Sequence, residues 1–418
     1  MKTRKQRVLV KTIHGYTVIL VPTPLDTLIV RASVGAGFIR ETKENLGIHH
    51  LLEHVLVNSW KQCEPNCVLY WDKQGCILNA STENTTVNYY VKGLPDIAET
   101  MISYMISILI TPHLSTAVIQ REKKAVSTEL SISMNHPEYT LLNAFNQSFY
   151  EPEGLKYSDN ASVHLHNVNA FTLKDVTQAH QRVYTPNNMV FVVYGDISVS
   201  KVTTYFSKHL PVSMKTVPPL PSCHTYTQSF LHVPQKSATV VTVLGFPMEK
   251  FYSGMINHIL TVILFDVLRT KHKLVYNIRC SISRDHCHSS LKIRFECAKD
   301  DFIKTLAILL RTLHEYTTAL VSPSILKGVQ RKLIYLYHTQ YEYEIYYSSY
   351  LFNKRPLLTK AQLIHHVSLF TAEQFRSAMK DSIQFQYCTL AYQYPTKIPV
   401  DWNTFLKIDT RGNTQLLL

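Results

Sequence analysis

Two histidines one helical turn apart, with a glutamate between them, most restrict what this chain can fold into. The run Gly47-Ile48-His49-His50-Leu51-Leu52-Glu53-His54-Val55-Leu56 contains His50-x-x-Glu53-His54. Leu51 with Val55 and Leu52 with Leu56 form two apolar i,i+4 columns, so the run predicts a helix with one face in a core. On that helix both imidazoles stand on one face and reach a single metal ion. Glu53 projects close to the same point without having to be a ligand, which suits a carboxylate that takes a proton from water. A surface helix with two solvated histidines and a glutamate reads the same over these five positions, so a third ligand has to come from elsewhere.

A zinc site that does chemistry usually has three protein ligands and one open position. The segment Arg121-Glu122-Lys123-Lys124-Ala125-Val126-Ser127-Thr128-Glu129-Leu130 reads as helix, with Glu122 and Glu129 two turns apart along one face. Two aligned carboxylates make one ligand and one supporting neighbour; alone they are also an ordinary solvated helix face. The order His-x-x-Glu-His inverts the commoner His-Glu-x-x-His and is the inverzincin signature. With Glu129 lying 75 residues after His54, these segments resemble the pitrilysin, insulin-degrading enzyme and mitochondrial processing peptidase family of zinc metallopeptidases. There the inverted motif is followed, after a similar gap, by a Glu ligand in a pattern like Glu-[Arg/Lys]-x-x-Val-x-x-Glu. The resemblance implies one Zn²⁺ per chain on His50, His54 and Glu129, Glu53 as catalytic base, and Glu122 as the acidic neighbour that supports the site.

At 418 residues the chain is too long for one typical core and suits two domains of about 200. Its 45% hydrophobic and 17% charged content is that of a globular protein. The net charge of +13 fits acidic partners or mere solubility, and no basic cluster interleaved with aromatics marks a nucleic-acid track. A nucleic-acid-binding protein therefore rests on charge alone. Cys63 and Cys67 lie close together without a second pair to complete a structural zinc site, and Cys223, Cys280, Cys287, Cys297 and Cys388 are scattered. We read reduced thiols in a cytoplasmic or other reducing compartment. The basic start, Met1 to Arg7, gives way at once to Val8-Leu9-Val10, leaving no room for a signal peptide's apolar core. The longest apolar runs, such as Met101 to Ile110, are too short to span a bilayer.

In chain order, strands are expected near 8–13, 16–22 and 27–34, leading into the histidine helix. Thr86-Val87-Asn88-Tyr89-Tyr90-Val91 alternates as a further strand. By the family resemblance, the piece around Asn79 and Ala80 is a sheet edge beside the zinc, onto which a substrate backbone pairs as an added strand; an ordinary hairpin strand is the plainer reading. Pro95 to Ile110 reads as helix, and Ser115 as the cap of the helix that carries Glu122 and Glu129. Tyr184-Thr185-Pro186-Asn187-Asn188 reads as a structural turn before the core strand Val190 to Tyr194. Pro211, Pro218, Pro219 and Pro221 mark a linker at 211–225 between a zinc-bearing domain at 1–210 and a second domain at 226–418.

Past the linker the pattern restarts: a shift of 207 lays Leu114-Ser115-Thr116-Ala117-Val118-Ile119 on Val321-Ser322-Pro323-Ser324-Ile325-Leu326. The same shift carries His50, Glu53 and His54 to Asn257, Leu260 and Thr261, and Glu122 and Glu129 to Val329 and Leu336. The second half is thus expected to duplicate the fold without metal ligands. Arg269 and Tyr276, seven apart, resemble the family pair that holds the substrate carbonyl opposite the zinc, with the departure that Lys273-Leu274-Val275 stands where many members have a glycine near the Tyr. As plain residues they are a surface charge and a core aromatic; as donors they stabilise an oxyanion.

The resemblance implies an α+β fold of two related domains, each a mostly antiparallel sheet packed against helices, forming half of a clamshell. It further implies a zinc endopeptidase acting on peptides or unfolded segments, working as a homodimer or with a related chain, with Arg269 and Tyr276 serving the partner's site. The alternative is a non-catalytic scaffold or partner subunit, since some relatives keep the fold and lose the chemistry.

Overall fold

Two strands of this chain are apolar at nearly every position, and each is buried on both faces. The computed structural model describes residues 7–213, 215–217, 226–248, 253–284, 289–339, 342–348, 356–400, 406–408 and 414–416. Within these residues the chain forms two compact units, each an α+β layer structure built on one mixed sheet.

The first unit comprises Met1–Met134, Asn160–Pro221 and Tyr341–Leu363. Its strands are β1 (Leu9–Ile13), β2 (Tyr16–Pro22), β3 (Leu28–Val34), β4 (Ile77–Thr82), β5 (Val87–Gly93) and β6 (Met189–Gly195), in the order β1-β2-β6-β3-β5-β4. Only β2 and β6 run parallel; the other pairings are antiparallel. The strand expectations at 8–34 match β1 to β3 to within a residue. Helices α1 (Ile48–Val57), α2 (Cys67–Lys73), α3 (Ala98–Ile110) and α4 (Thr116–Met134) follow in the chain. The N–H of Val118 reaches the Ser115 hydroxyl at 3.3 Å, the capping contact expected at the start of α4.

The second unit comprises Asn135–Asp159, Ser222–Gln340 and Ile364–Leu418. It contains α5 (Tyr139–Phe149) and α6 (Glu153–Lys156), while α7 (Ala161–Ala170), α8 (Leu173–Val183) and α9 (Val199–His209) belong to the first unit. Its sheet runs β7 (Ser229–Val233), β11 (Thr389–Gln393), β8 (Val240–Met248), β10 (Ser289–Cys297), β9 (Val275–Arg284), again with a single parallel pair, β7 with β11. Around it lie α10 (Ser253–Leu264), α11 (Phe302–Glu315), α12 (Pro323–Thr339) and, beyond α13 (Tyr343–Ser348), α14 (Lys360–Leu369) and α15 (Ala372–Ser382). Strand order, one parallel pair at the same place and the α10/α12 pair in the positions of α1 and α4 make this unit a second copy of the first. Leu260 and Val329 are buried in its core, where the shifted register puts Glu53 and Glu122 of the first copy.

The units depart from a linear division of the chain. Residues 135–159 belong with the second sheet and 341–363 with the first. The reason lies in the two doubly buried strands. On β8, Val240, Leu244, Phe246 and Met248 join the main core of their unit. On the opposite face, Gly245 lies under Phe145 of α5, so close that a Cβ there would sit 2.4 Å from the ring. In the first unit α13 covers β3 and β6 in the same way: Tyr343 stacks on Tyr194 with centroids 6.2 Å apart, and Arg31 donates to the buried Ser348 hydroxyl at 3.2 Å. A strand covered on both faces reads as a continuous apolar run, and the helix that supplies the second cover comes from the other half of the sequence.

One cysteine expectation is corrected. Cys63 and Cys67 form a disulfide, because the turn between them brings their Cα atoms to 4.7 Å, inside the range a disulfide spans. Cys76, Cys280, Cys297 and Cys388 are unbonded; Cys223, Cys287 and most of the expected linker, 214 and 218–225, lie outside the described residues. Among the described residues no helix is long and apolar enough to cross a membrane.

The packing of α5 on the second sheet makes a direct forecast. Phe145→Ala leaves a cavity over Gly245 and should cost about 3–5 kcal/mol in denaturant unfolding; a loss under about 1 kcal/mol, the scale of an ordinary surface change, would contradict the observed cover.

Candidate metal centre

Helix α1 starts without a side-chain cap of its own, because its first boundary residue is Gly47 at φ +90°. The cap comes from Glu41. Its buried carboxylate accepts the Gly47 N–H at 2.8 Å and the His49 N–H at 2.9 Å, and lies 3.2 Å from His49 Nδ1. Burial works to raise the pKa of this carboxyl, but the His49 side chain and the two backbone N–H groups overcome it and hold the group below the ordinary carboxylate range. A negative charge at a helix N-terminus also complements the exposed N–H dipoles. Leu51, Leu52, Val55 and Leu56 are fully buried, as the two apolar columns predict, which turns His50 and His54 toward α4. Beyond the last turn Asn58 accepts the Cys67 N–H at 3.0 Å and donates to Glu122 at 3.3 Å.

His50, His54 and Glu129 converge, with ligand atoms all within 4.8 Å of one another. Glu129 Oε2 lies 3.5 Å from Nε2 of His50 and 3.5 Å from Nε2 of His54. Zinc bonds of about 2.0–2.2 Å in tetrahedral geometry put neighbouring ligand atoms roughly 3.3–3.5 Å apart. The two nitrogens and the carboxylate oxygen thus have the chemistry and spacing for that ion. The two imidazoles hold the Glu129 carboxyl well below its usual range by hydrogen bonding, although its side chain is 55% exposed. Burial depresses His54, but Glu129 and the charges of Glu53 and Glu122 outweigh it and raise the pKa.

Glu53 is buried beside this cluster and accepts the Thr82 hydroxyl of β4 at 2.7 Å. Desolvation raises its pKa in spite of the neighbouring His50 and the Thr82 bond, the direction a general base near neutrality requires. Glu122 is buried too; its carboxylate takes Arg121 Nε at 2.9 Å and the Asn58 amide, and stands 3.9 Å from His54 Nδ1. That last distance is electrostatic reach rather than a hydrogen bond.

Asn79 and Ala80 lie on β4, which among the described residues pairs only with β5 and so forms the sheet edge on the side of α1. The Asn79 side-chain oxygen accepts the Ala80 N–H at 2.8 Å. In the second unit, Arg269 sits on a π-helical turn, Phe265–Lys271, with its guanidinium 4.6 Å from the Tyr276 ring centroid. Tyr276 is 80% exposed, which removes the core-aromatic reading. Between them Lys273 adopts φ +56°, a left-handed conformation that glycine takes without strain. Asn188 holds its turn as expected, donating to Gly35 O and Val183 O at 3.0 and 2.8 Å.

Three residues of the centre escape a reading by motif. Glu41 and Asn58 act through backbone groups at either end of α1. His164, on α7, is buried against His50 with ring centroids 5.2 Å apart. Burial first, and then the charge of His50, pushes its pKa down to about 4. Asn167, one turn further on α7, donates to Lys43 O and Leu46 O at 2.8 and 3.3 Å and ties down the loop before α1.

Glu41→Gln should lower stability at neutral pH by about 1–3 kcal/mol, the cost of weakening buried polar pairs. Because the Glu41 pKa is depressed on folding, its contribution is full above the ordinary value near 4.3 and fades as pH falls through the folded one. Urea titrations of both proteins from pH 7 downward should therefore converge in acid; a constant gap would exclude the proposed linkage.

A family model described as Insulinase (Peptidase family M16) matches residues 17–159, and one described as Peptidase M16 inactive domain matches 170–333. Among curated proteins, the chain is 25% identical over 205 residues to the zinc protease PqqE of Helicobacter pylori, covering 47% of this chain and 45% of that one. It is 22% identical over 185 residues to a probable mitochondrial-processing peptidase subunit beta of Schizosaccharomyces pombe, covering 44% and 40%. The alignments thus span less than half of these relatives' length. A solved structure of a protease from Helicobacter pylori superposes with a TM-score of 0.80 at 16% identity, over 93% of this chain and all of that one. With both family models matched in order along the chain and the fold shared, the chain belongs to the M16 peptidase family.

Proposed function

We propose that this chain is a zinc-dependent endopeptidase subunit that hydrolyses peptides or unfolded segments. The observation that carries the reading is the convergence of His50, His54 and Glu129 at zinc spacing with buried Glu53 at their side. One zinc ion per chain, held by those three residues, would supply Lewis acidity, acidifying a water and polarising the scissile carbonyl.

The rest falls to the protein's own groups. Thr82 fixes one oxygen of Glu53 and leaves the other for proton transfer. Glu53 takes a proton from the attacking water and returns it to the leaving nitrogen as the amide C–N bond breaks. Glu122, anchored by Arg121 and Asn58, holds negative charge beside His54 and keeps that ring oriented. An extended peptide adds to the β4 edge at Asn79 and Ala80, its carbonyl displacing the Asn79 side chain from the Ala80 N–H. Because Thr82 is on the same strand, a peptide paired there runs past the base.

The exposed Tyr276 and the half-buried Arg269, whose Nη1 also donates to Val275 O at 3.3 Å, present donors that would steady a developing oxyanion. We assign them to the site of a partner in a homodimer or a dimer with a related chain, closing a chamber that admits unfolded segments. The zinc protease and processing-peptidase subunit among the relatives fit both the activity and the pairing. Among the described residues, unbonded Cys76, Cys280, Cys297 and Cys388 favour a reducing compartment such as the cytoplasm, with Cys63–Cys67 as an exception. The scaffold alternative has less support, since a subunit that has lost its chemistry has no need of all three ligands and the base.

Digestion of an unstructured peptide library by wild type and Glu53→Gln, with zinc quantified in both, tests the reading. Activity should fall about 10²- to 10⁴-fold while one zinc per chain is retained; equal cleavage by the two proteins would remove Glu53 as base. Mixing Glu53→Gln with Arg269→Ala chains should restore part of the activity if the oxyanion donors work in trans. Mixtures no better than the single variants would argue against it.

A further inference from the structure

Where the loop before α1 meets α7 and α8, side chains of the first unit surround a cavity of about 690 Å³. Its lining includes none of His50, Glu53, His54 and Glu129. The walls come from Arg40 at the end of the 3₁₀ turn Phe38–Arg40, from the chain between Glu44 and His49, from the end of α7 and from one stripe of α8. On α8, Asp175, Gln178, Ala179 and Arg182 stand at i, i+3, i+4 and i+7, beside the buried Val176 and His180. Ala170 and Ala179 are the small side chains that leave the space open, while Ile48 and Phe171, both buried, give it an apolar wall.

The walls are held by their own polar contacts. Asn167 donates to Lys43 O and Leu46 O, the Asn45 side-chain oxygen accepts the Thr42 N–H at 2.6 Å, and Thr172 with Asp175 forms the reciprocal cap of α8. A cavity formed in advance loses little free energy to ordering when a ligand enters. Two guanidiniums share it. Arg40 is half-buried, and its Nε donates to Gly35 O at 2.6 Å, which directs the side chain. Burial first, and then the charge of Arg182, push its pKa down to about 10. Two like charges held this near repel, and an anion between them turns the repulsion into attraction. The two carboxylates of the lining are engaged elsewhere: Asp175 accepts the Thr172 N–H and hydroxyl at 2.7 and 2.6 Å, and the exposed Glu44 pairs with the Thr42 side chain.

We propose that this cavity binds a small organic anion, a carboxylate or phosphate on an apolar body, with the charged group between Arg40 and Arg182 and the body against Ile48, Phe171 and Ala179. A guanidinium presents a planar fork of N–H donors that matches two oxygens of either group. The volume calls for more than a bare ion, since pockets of about 300–1,000 Å³ are the scale of small organic ligands. Asn45 and Gln178 add side-chain amides for further polar contacts. The bound anion bridges α8 to the chain that leads into α1. This site is separate from the metal centre and does not depend on the zinc reading.

Calorimetric titration of the full chain with phenyl phosphate, N-acetylphenylalanine and the uncharged N-acetylphenylalaninamide tests the proposal, with zinc added and after its removal. At least one of the two anions should bind, one per chain, and the amide should bind about tenfold more weakly or worse. Whichever anion binds more tightly identifies the charged group as phosphate or carboxylate, and either order supports the site. Arg182→Gln, a change at an exposed position, should weaken anion binding about 10- to 100-fold. Ala179→Phe fills the cavity, leaves both arginines in place and should abolish binding. Lys174→Gln removes an exposed charge of α8 outside the lining and should leave the affinity unchanged. The anion should also raise the melting temperature of wild type whether or not zinc is present. The contrast between acid and amide in wild type needs no variant to fold. Failure of both anions to bind, equal binding of acid and amide, or an affinity that neither Arg182→Gln nor Ala179→Phe alters would overturn the proposal. Binding seen only with zinc would assign the anion to the metal centre and overturn it as well.

Discussion

The packing of α4 across α1 is the contact on which the candidate centre depends. Neither helix holds a site by itself. Two histidines on one face of α1 offer two nitrogens, and the third donor arrives only because Val126 and Leu130 of α4 are buried and hold that helix in register. With that register set, Glu122 and Glu129 face successive parts of one site, the first buried beside Arg121 and Asn58 and the second half exposed against the two imidazoles. The arrangement places two carboxylates with different duties on one helix, separated by their burial.

Such a contact has to be rigid, and α1 is restrained at both ends by groups that the metal motif does not include. Glu41 neutralises the N-terminal N–H groups, Asn167 ties the preceding loop to α7, and Asn58 links the last turn to Glu122 and to the start of α2. Each of these is a side chain spanning to backbone or to another helix. A site held to within a fraction of an ångström needs supports of this kind.

The difference between what was legible and what was not follows from range. The helix of His50, Glu53 and His54, its two apolar columns, the cap at Ser115 and the strands before it are local patterns, and the periodicity of the sequence exposes them. Glu129 was reachable because its spacing from the motif resembles that of a known family. Glu41, Asn58 and His164 were not, because their roles depend on three-dimensional proximity to Gly47, Glu122 and His50, and no spacing rule links those positions. The crossing of residues 135–159 and 341–363 between units is hidden for the same reason: an amphipathic helix shows that it covers a core, but not which one. Cys63 and Cys67 were close in sequence, yet a turn rather than a repeat decides whether they bond.

The second unit shows what the metal site asks of the fold. It repeats the sheet order and the helix pair, but where the first copy keeps Glu53 and Glu122 it buries Leu260 and Val329 in a continuous apolar core. Burying a leucine or valine stabilises by about 1.5–3 kcal/mol, whereas burying a carboxylate costs free energy unless partners meet it. The first copy gives up that stabilisation at these two positions and surrounds the Glu53 and Glu122 carboxylates with Thr82, Arg121 and Asn58 instead. Duplicating a fold therefore relaxes the conflict between stability and chemistry: one copy keeps buried carboxylates together with their polar partners, and the other buries apolar residues at the matching positions and carries the Arg269–Tyr276 pair on a π-helical turn and the strand after it.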